Sequence, residues 1–350
     1  MKRFLALALC ALFACQAEAR TLYVDAKRPN NNGNGLSAKK AKKTLQAAIN
    51  IAKKGDTILV YPGTYAPIET NNKKITIKAI KGKSKTKLVL KKNDDVLADF
   101  TKAVKKHDST YNYDYTVNVG NATVLSGFTL DGQNLGKGYG VSIAMGGTLK
   151  SCTAKRFYVY RGFHKSKLEN CLVQNNFLVT TALFHECTVQ STTVTKNRDD
   201  GDKLFHGQIG SYSTFANCLV AGNSFDRNIF GSSTLVNCTI ARNTMTLHQG
   251  FHYQFSVSSK YVNCILWNNF SQREDEPKTL QNSDEGNTYT NTDTTNKNPK
   301  FAKSYKLKKG SYCINAGKLT KAQKKLVGKT DLAGKARIKG KAIDRGCYEY

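Results

Sequence analysis

Three aspartates lie close together in one polar segment of the 350-residue sequence, KNRDDGDK at 196–203. Carboxylates grouped around a glycine can supply the hard oxygen ligands that Ca²⁺ prefers. A bound cation would neutralise the carboxylate of a uronic acid and acidify the neighbouring C–H bond, so that a nearby base could remove the proton. The segment therefore indicates β-elimination on an acidic polysaccharide, with Ca²⁺ as a cofactor held by Asp199, Asp200 and Asp202.

Basic side chains in this segment and in the segments that follow are candidates for the base. Arg227 would need a strongly lowered pKa to accept a proton, so a lysine or a histidine is the easier choice. Arg227 also falls in an inward-facing slot if strand alternation is strict, and a charge facing the core is costly unless it is paired. The candidate catalytic residues are Lys203, Arg227, His206 and His252.

Phenylalanines recur thirteen residues before three of the cysteines, at Phe205, Phe225 and Phe251. Because side chains alternate along a strand, the polar residues that follow each phenylalanine face the opposite side. They predict a polar patch on successive strands, in which the substrate-binding residues are Gln208, Asp226, Asn228 and Gln254. The alternative is that the aspartates form a solvated loop tip and that the histidines are ordinary surface side chains.

One short motif recurs along the centre of the chain, as in LENCLV at 168–173 and LVNCTI at 235–240. Six cysteines occupy the same slot of this motif, separated by 19, 16, 31, 20 and 26 residues. The period near 20 and the β-branched residues predict an all-β fold, a right-handed parallel β-helix (solenoid). The cysteines would point inward, and Cys218, Cys238 and Cys264 would form one column.

Asparagines accompany the motif at two positions. The residue before the cysteine suits a single left-handed residue between two short strands. Stacked one above another, the asparagines at this bend could also form a ladder of side-chain amides. The first set is Asn170, Asn217, Asn237 and Asn263, and the second set, five residues after the cysteine, is Asn176, Asn223, Asn243 and Asn269.

The N-terminal part fits a cap for such a solenoid. Apolar residues at Leu45, Ala48, Ile49 and Ala52 follow the 3.6-residue period of a short amphipathic helix. A strand at 57–60 follows. A helix here would cover the open end of the first coil and its unpaired edge.

Two longer segments carry a resemblance to known proteins. LYVDAKRPNNNGNGLSAKKAKKTLQAAINIAKKGDTILVYPGTY at 22–65 resembles the entry segment of secreted bacterial proteins of the pectate-lyase-like β-helix superfamily. NPKFAKSYKLKKGSYCINAG at 298–317 and TDLAGKARIKGKAIDRGCYEY at 330–350 resemble the C-terminal module of the choice-of-anchor Q proteins. The resemblance implies the fold and export. Its enzymes place Ca²⁺-binding aspartates beside the corresponding strand and use a lysine or arginine base, but the superfamily also includes hydrolases, epimerases and adhesins.

The first residues read as an export signal. Lys2 and Arg3 precede an apolar run, and Ala17-Glu18-Ala19 is a small-x-small cleavage site. The expected organisation is a signal peptide (1–19), an N-terminal cap with the first coils (20–110), central coils (111–296) and a C-terminal module (297–350). The alternative is a lipoprotein modified at Cys15, so the protein is expected to be secreted or attached to the cell envelope.

The net charge of +29 is concentrated at the two ends. Residues 297–350 carry 16 Lys and Arg against 3 Asp and Glu, whereas residues 111–296 carry 15 against 14. A surface this positive attracts polyanions. The expected partners are the cell-envelope surface and a polysaccharide, which would be acidic if the positive charge takes part in binding. No specific nucleic acid is expected as a partner. The protein is expected to be a monomer. Alternatively, the lysines only keep the ends soluble.

Eight cysteines remain after residue 19. Buried thiols are the simpler interpretation, although coils about 4.8 Å apart also permit vertical disulfides, and Cys313 with Cys347 is a separate candidate pair. Three functions stay open: a polysaccharide lyase or related enzyme, a non-catalytic carbohydrate-binding protein, and an adhesin-like structural protein.

Overall fold

A computed structural model describes the chain from residue 18 to residue 350 with internal gaps. The described ranges are 18–91, 115–120, 122–135, 142–159, 162–178, 182–199, 207–225, 229–245, 258–271, 284–286, 289–290 and 297–350. Within them the chain forms four parallel sheets of 11, 10, 7 and 6 strands, here called A, B, C and D. The predicted all-β, right-handed parallel β-helix is confirmed.

Each sheet collects one short strand from each successive coil, in chain order. Sheet A contains β1 (Thr21–Val24), β2 (Thr57–Val60), β5 (Thr76–Ala79), β8 (Val124–Ser126), β11 (Thr148–Lys150), β15 (Lys167–Glu169), β19 (Thr188–Gln190), β23 (Thr214–Ala216), β27 (Thr234–Val236), β30 (Lys260–Val262) and β33 (Asp284–Gly286). Sheet B contains β3 (Gly63–Tyr65), β6 (Thr86–Val89), β9 (Thr129–Asp131), β12 (Thr153–Lys155), β16 (Leu172–Gln174), β20 (Thr193–Thr195), β24 (Leu219–Ala221), β28 (Thr239–Ala241), β31 (Ile265–Trp267) and β34 (Tyr289–Thr290).

The other two sheets are shorter. Sheet C contains β4 (Ile68–Glu69), β7 (Tyr115–Asn118), β10 (Ser142–Met145), β14 (Phe163–His164), β18 (Ala182–His185), β22 (Gln208–Ser211) and β26 (Phe230–Gly231). Sheet D contains β13 (Tyr158–Val159), β17 (Phe177–Leu178), β21 (Arg198–Asp199), β25 (Ser224–Phe225), β29 (Thr244–Met245) and β32 (Phe270–Ser271).

One coil runs through β14, β15, β16 and β17, in the sheet order C, A, B, D. Single left-handed residues turn the chain between these strands: Lys165 (φ 49°), Asn170 (φ 55°) and Asn175 (φ 55°). The residue after each corner points into the solenoid, and the middle residue of each three-residue strand does the same. The left-handed asparagine predicted from the sequence is therefore one of three similar corners in a coil.

The cysteine column lies inside the corner between sheets A and B. The Cys218 main-chain N–H lies 3.4 Å from the Cys238 Sγ, and the Cys238 N–H lies 3.4 Å from the Cys264 Sγ. The predicted column of these three cysteines is confirmed. All eight cysteines from Cys152 onward are buried free thiols.

Cys187 does not belong to this column, so its assignment to the repeated slot was wrong. The Cys171 N–H donates to Thr192 Oγ1 at 3.2 Å, which puts Thr192 in the cysteine slot. The Cys187 N–H instead donates to Ser213 Oγ at 3.0 Å, inside the corner between sheets C and A. With Thr192 in place, the unequal gaps around Cys187 become two ordinary coils.

An asparagine ladder lies inside the corner between sheets B and D. From Asn197 onward, each side-chain Oδ1 accepts the main-chain N–H and side-chain amide of the asparagine one coil earlier, as Asn197 does from Asn176 at 3.1 and 2.8 Å. The ladder predicted for the bend asparagines thus lies at the second asparagine position instead, and Asn197 belongs to it. At the bend, the side chains of Asn263 and Asn237 form one such pair. Its members are Asn176, Asn197, Asn223, Asn243 and Asn269.

A short helix covers the first coils. After a 3₁₀ turn (Ala38–Lys40), α1 (Leu45–Ile51) begins at Thr44, whose side chain accepts the Ala47 N–H, and it buries the predicted apolar stripe. Gln46 exchanges two hydrogen bonds of 2.9 Å with the main chain of Glu69, on the edge strand of sheet C. The N-terminal capping helix is confirmed.

Residues 297–350 pack against the outside of sheets A and B. Val327, at the end of α2 (Lys321–Val327), and Ile343 contact Val236 and Val262 of sheet A. Corner asparagines hold the segment's main chain: Asn217 donates to Thr330 O at 3.1 Å and Asn263 donates to Asp344 O at 3.0 Å.

Cys313 and Cys347 lie in different apolar clusters of this segment. Both thiols are free, so the candidate disulfide between them is not formed. Burial raises the pKa of each thiol to about 12. Neither is therefore a thiolate at neutral pH, and both act as small apolar side chains.

Among the described residues, no helix combines the length and the apolar character needed to cross a membrane.

Candidate functional site

A regular column of left-handed residues runs along the outer corner between sheets B and D, here called the B–D corner. Every described coil from β12 onward contributes one left-handed residue there, with φ between 51° and 64°. Basic and uncharged residues alternate along the column. In chain order they are Arg156, Asn175, Lys196, Gly222, Arg242 and Asn268.

The alternation sets a spacing between positive charges. Neighbouring strands in a sheet lie about 4.8 Å apart, so residues two coils apart are separated by roughly 10 Å along the solenoid axis. Arg156, Lys196 and Arg242 are all exposed. The B–D corner thus presents cations at roughly 10 Å intervals along one line.

Sheet D places a second row of side chains beside this corner. Tyr158, Phe177 and Arg198 occupy the same register position on β13, β17 and β21. The two rings stack with centroids 4.6 Å apart and an interplanar angle of 9°, and the Arg198 Cζ lies 4.5 Å from the Phe177 centroid. Cation–π contact holds the guanidinium in place while leaving its edge available to solvent.

These two rows enclose a shallow groove of about 380 Å³. Gly222 opens it: a Cβ added there would meet only Thr195 Oγ1, at 3.9 Å. A side chain at this position would therefore project into the groove. The lining side chains are Asn175, Phe177, Lys196, Arg198 and Ser224, together with the buried Asn197.

One coil before Asn175, two cations contact a buried carboxylate. Arg156 donates to both oxygens of Asp131, at 2.8 and 2.7 Å, and Lys155 Nζ lies 3.7 Å from Asp131 Oδ2. Burial opposes the ionisation of Asp131, but the hydrogen bonds and charge of Arg156 bring its pKa below the ordinary value. The carboxylate is therefore ionised at neutral pH, and the cluster keeps a net positive charge.

The predicted catalytic, substrate-binding and metal residues fall mostly outside the described ranges. Asp199 is described, and it shares a register position with Leu178, a core residue. Its Oδ2 accepts the Gly207 N–H at 3.4 Å, which joins the two ends of the segment between them. Those outside the described ranges are Asp200, Asp202, Lys203, His206, Asp226, Arg227, Asn228, His252 and Gln254.

Gln208 is the other described member of the predicted patch. It is half-buried at the start of β22, next to the fully buried Ile209, as strand alternation predicted. A Cβ added to Gly231 would lie 3.0 Å from Gln208 Oε1, so the Gln208 side chain covers the next coil. The structure thus brings Asp199 next to Gly207, the residue before Gln208.

Sequence reasoning missed the B–D corner, although a signal for it was present. Every member lies four residues after an occupant of the cysteine slot, as Lys196 does after Thr192 and Arg242 after Cys238. The period is hidden as long as Cys187 is assigned to the slot that Thr192 occupies. Once Thr192 is recognised, the alternation of basic and uncharged residues can be read directly from the sequence.

The C-terminal segment adds a second basic surface. All three acidic residues of 297–350 are buried, with exposed fractions of 3% for Asp331, 2% for Asp344 and 4% for Glu349. Of the 16 Lys and Arg in the same range, only Arg337 is buried. The side chains of this surface therefore present positive charge only.

The four-sheet solenoid is similar to several solved structures. A pectate lyase structure has a TM-score of 0.52 at 16% sequence identity, over 94% of this chain and 96% of that one. The fold is that of the pectate-lyase-like β-helices. A rhamnogalacturonan lyase aligns at 14% identity over 91% of this chain and 99% of that one, with a TM-score of 0.36. A pectin methylesterase from carrot aligns at 12% identity over 77% of this chain and 88% of that one, with a TM-score of 0.39.

At these identities the pectate-lyase-like likeness concerns the fold alone. No protein-family model and no curated protein sequence matches the chain. The function of this pectate-lyase-like solenoid must therefore be argued from its own residues.

Proposed function

We propose that this protein binds an acidic polysaccharide along the B–D corner, with the polymer lying parallel to the solenoid axis. The observation that carries the proposal is the line of exposed cations at Arg156, Lys196 and Arg242, with Arg198 held beside it on the ring of Phe177. A straight row of equally spaced cations suits a regular polymer whose negative charges recur along one side.

The side chains of the groove suit an anionic sugar. A guanidinium donates two parallel hydrogen bonds to a carboxylate or sulfate, whereas the Lys196 ammonium acts as a point charge. Asn175 and Ser224 can donate to and accept from sugar hydroxyls. Because Arg198 is already held by Phe177, it loses less conformational freedom on binding than an unsupported side chain would.

The basic C-terminal surface supports the same class of partner. Its exposed lysines add to the positive potential that attracts a polyanion from a distance, and such attraction weakens as salt rises. We therefore propose two contributions to binding: a salt-sensitive attraction spread over the surface, and short-range contacts in the groove.

We also propose that the protein acts outside the cytoplasm. The Arg20 main-chain nitrogen lies 2.9 Å from Asp56 Oδ1, and its guanidinium lies 2.7 Å from Asp56 Oδ2. Cleavage after Ala19 would convert that main-chain nitrogen into a charged amino group facing a carboxylate. This arrangement supports cleavage at that bond over lipidation at Cys15, which would leave five residues before Arg20.

Affinity electrophoresis in gels containing polygalacturonate, alginate or neutral dextran tests the binding proposal. The native protein should be retarded by at least one acidic polymer and not by dextran. The double variant Lys196→Ala with Arg198→Ala should bind roughly tenfold more weakly, a loss of about 1.4 kcal/mol. Lys78→Ala with Lys150→Ala is the charge-matched control, because both lysines are exposed on sheet A. An equal loss in both double variants would contradict the groove and leave only general charge attraction.

One observation favours a second candidate, Ca²⁺-dependent elimination on the bound polymer. Asp199 follows Arg198 directly, and its contact with Gly207 fixes both ends of the segment that contains Asp200, Asp202 and Lys203. Catalysis predicts absorbance from unsaturated products that requires Ca²⁺ and is lost in Lys203→Ala. Binding without such absorbance on any acidic polymer would exclude the lyase and retain the binding function.

A further inference from the structure

Two histidines and a glutamate meet on the outer face of sheet C. His164 ends β14 and His185 ends β18, and the two residues are directly paired in the sheet. Their rings lie side by side with centroids 5.4 Å apart, tilted by 45°. Glu186 follows at the corner between sheets C and A, where its left-handed backbone (φ 52°) turns the chain.

The donor atoms of these three residues are close enough to share one ion. His185 Nε2 lies 3.2 Å from Glu186 Oε1, and His164 Nε2 lies 3.9 Å from the same oxygen. One donor atom from each residue can be chosen so that all three lie within 4.8 Å of one another. Tetrahedral ligands at 2.0–2.2 Å from a zinc ion are about 3.4 Å apart. The two distances to Glu186 Oε1, 3.2 and 3.9 Å, lie on either side of that value.

We propose that His164, His185 and Glu186 form a binding site for a divalent transition metal of the Zn²⁺ class. Two imidazole nitrogens and one carboxylate oxygen favour Zn²⁺, Co²⁺, Ni²⁺ or Cu²⁺, whereas Ca²⁺ and Mg²⁺ prefer oxygen donors alone. The fourth coordination position faces solvent, because the side chains of His185 and Glu186 are 36% and 44% exposed.

The site needs little rearrangement to bind. His164 is held by its surroundings, with 13% of its side chain exposed, and pairing of adjacent strands fixes the separation of the two histidines. One group competes with a metal: Lys165 Nζ lies 3.7 Å from Glu186 Oε2. A metal ion must therefore overcome the charge of Lys165, and removing that charge should strengthen binding.

The metal site is independent of the polysaccharide proposal. It lies on sheet C, whereas the groove lies at the corner between sheets B and D. It also shares no residue with the predicted Ca²⁺ ligands. No sequence motif marks this site, because its two histidines come from different coils and become neighbours only when the coils stack.

Titration of the chelator-stripped protein with Co²⁺ tests the inference, because Co²⁺ bound in a tetrahedral site absorbs visible light. One Co²⁺ per chain should bind, and added Zn²⁺ should displace it. His185→Ala and Glu186→Gln should each weaken binding at least tenfold, whereas Lys165→Met should strengthen it severalfold. His248→Ala is the matched histidine control and should bind as the native protein does.

Several results would overturn the inference. The first is a failure of Co²⁺ and Zn²⁺ to bind at micromolar concentrations. The second is unchanged binding in His185→Ala, and the third is a thiolate charge-transfer band, which would assign the ion to cysteine. Circular dichroism of each variant checks that the solenoid is intact. The Lys196→Ala with Arg198→Ala variant should keep its Co²⁺ site, and His185→Ala should keep its polysaccharide retardation, so the two proposals fail separately.

Discussion

The side-chain amide of Asn176 donates a 2.8 Å hydrogen bond to the Asn197 Oδ1 on the next coil, and both residues are fully buried. Asn197 also accepts the Asn176 main-chain N–H and donates to the Val173 carbonyl at 3.0 Å. One side chain thus satisfies three polar groups on the coil before it. The ladder is a structural requirement of the solenoid and leaves no polar group for a ligand.

Asn197→Ala should therefore destabilise the protein by about 2–3 kcal/mol, because it leaves buried donors and acceptors without partners. The expected result is a lower midpoint of urea unfolding. Asn175→Gly is the matched control: Asn175 lies at the adjacent corner but is exposed, and glycine adopts its left-handed φ of 55° without strain, so this change should alter the midpoint little. Equal losses in the two variants would contradict the ladder's role.

Cys187 lies inside the corner between sheets C and A, and this position gives a second prediction. Serines occupy the same inner corner on other coils, as Ser166 and Ser213 do, and the Ser213 hydroxyl donates to a main-chain carbonyl at 2.8 Å. A serine at 187 should find the same partner, so Cys187→Ser should cost less than about 1 kcal/mol. Cys218→Ser should cost more, because Cys187 has a serine at the same corner on both neighbouring coils, whereas Cys218 lies between Thr192 and the thiol of Cys238.

Thermal unfolding of these two cysteine variants, measured side by side, provides the check. If Cys187→Ser were as damaging as Cys218→Ser, the two cysteines would belong to equivalent positions and the corrected register would be wrong. Thr192→Cys is the complementary change. It should be tolerated, because a thiol already accepts the corresponding N–H at Cys238.

The sequence predicted those features of the architecture that depend on residues close together in the chain. It did not predict those that depend on pairing between coils. The corner asparagines, the inward cysteines and the α1 stripe are local patterns, and each one is found in the structure. Cys187 was misplaced because its two local neighbours, an apolar residue three before and one two after, imitate the true slot. Only pairing between coils, seen in the Thr192 hydrogen bond to Cys171, distinguishes the two positions.

The candidate sites were less predictable for the same reason. His164 and His185 are 21 residues apart, and Lys196 reads as an ordinary loop lysine until the coils are aligned. A further signal was overlooked: the outward positions of the later coils turn apolar, at Ala216, Val236 and Val262, where residues from 297–350 cover them. Apolar residues on both faces of those strands indicated a covering layer.

The C-terminal segment should make stability depend on pH. Burial raises the pKa of Glu349 to about 7, and the Asp344 carboxylate acts in the same direction. A carboxyl group whose pKa is higher in the folded state stabilises that state below its unfolded pKa. This contribution is lost as the pH rises through the folded value. The unfolding midpoint should therefore fall between about pH 5 and pH 8.

Glu349→Gln should flatten that dependence, because an amide does not titrate. Unfolding midpoints measured at half-unit intervals of pH would show the difference between the native protein and the variant. Glu169→Gln is the control: partial burial opposes the ionisation of Glu169, but hydrogen bonds from Lys150 and Lys167 hold its pKa below the ordinary value, and its titration therefore lies below this pH range. A native midpoint that rises over this pH range would contradict the buried, protonated state of Glu349.

The buried carboxylate of Asp56, in the N-terminal part of the solenoid, should make stability depend on pH in the opposite direction. Burial opposes its ionisation, but hydrogen bonds from Arg20 and Lys53 bring its pKa below the ordinary value. Its stabilising contribution is therefore present at neutral pH and is lost as the pH falls through the lowered pKa. Asp56→Asn should cost about 2 kcal/mol at pH 7 and progressively less in acid.

The reference for Asp56→Asn is Asp25→Asn, a carboxylate whose only main-chain donor in the described structure is two residues away. N-terminal sequencing of the exported protein should give Arg20 as the first residue. A first residue before Arg20 would remove the proposed pairing of the new amino group with Asp56, although the loss in Asp56→Asn would remain.

Gly222 allows charge and shape in the groove to be separated. Its φ of 64° is left-handed, yet Asn175 and Asn268 adopt φ of 55° and 51° at the same corner on other coils. Asparagine and aspartate both tolerate this conformation, so Gly222→Asn and Gly222→Asp should fold. Both side chains would project into the same open space, and they differ only in charge.

Gly222→Asn should weaken polysaccharide binding slightly by filling the groove, whereas Gly222→Asp should weaken it several-fold further by placing an anion between Lys196 and Arg242. The measurement is retardation in acidic gels at two salt concentrations. The difference between the two variants should shrink at high salt, because only the charge contribution is screened. If the two variants bind alike at low salt, the polymer does not pass this corner, and the positive column would be a solvated edge of the solenoid.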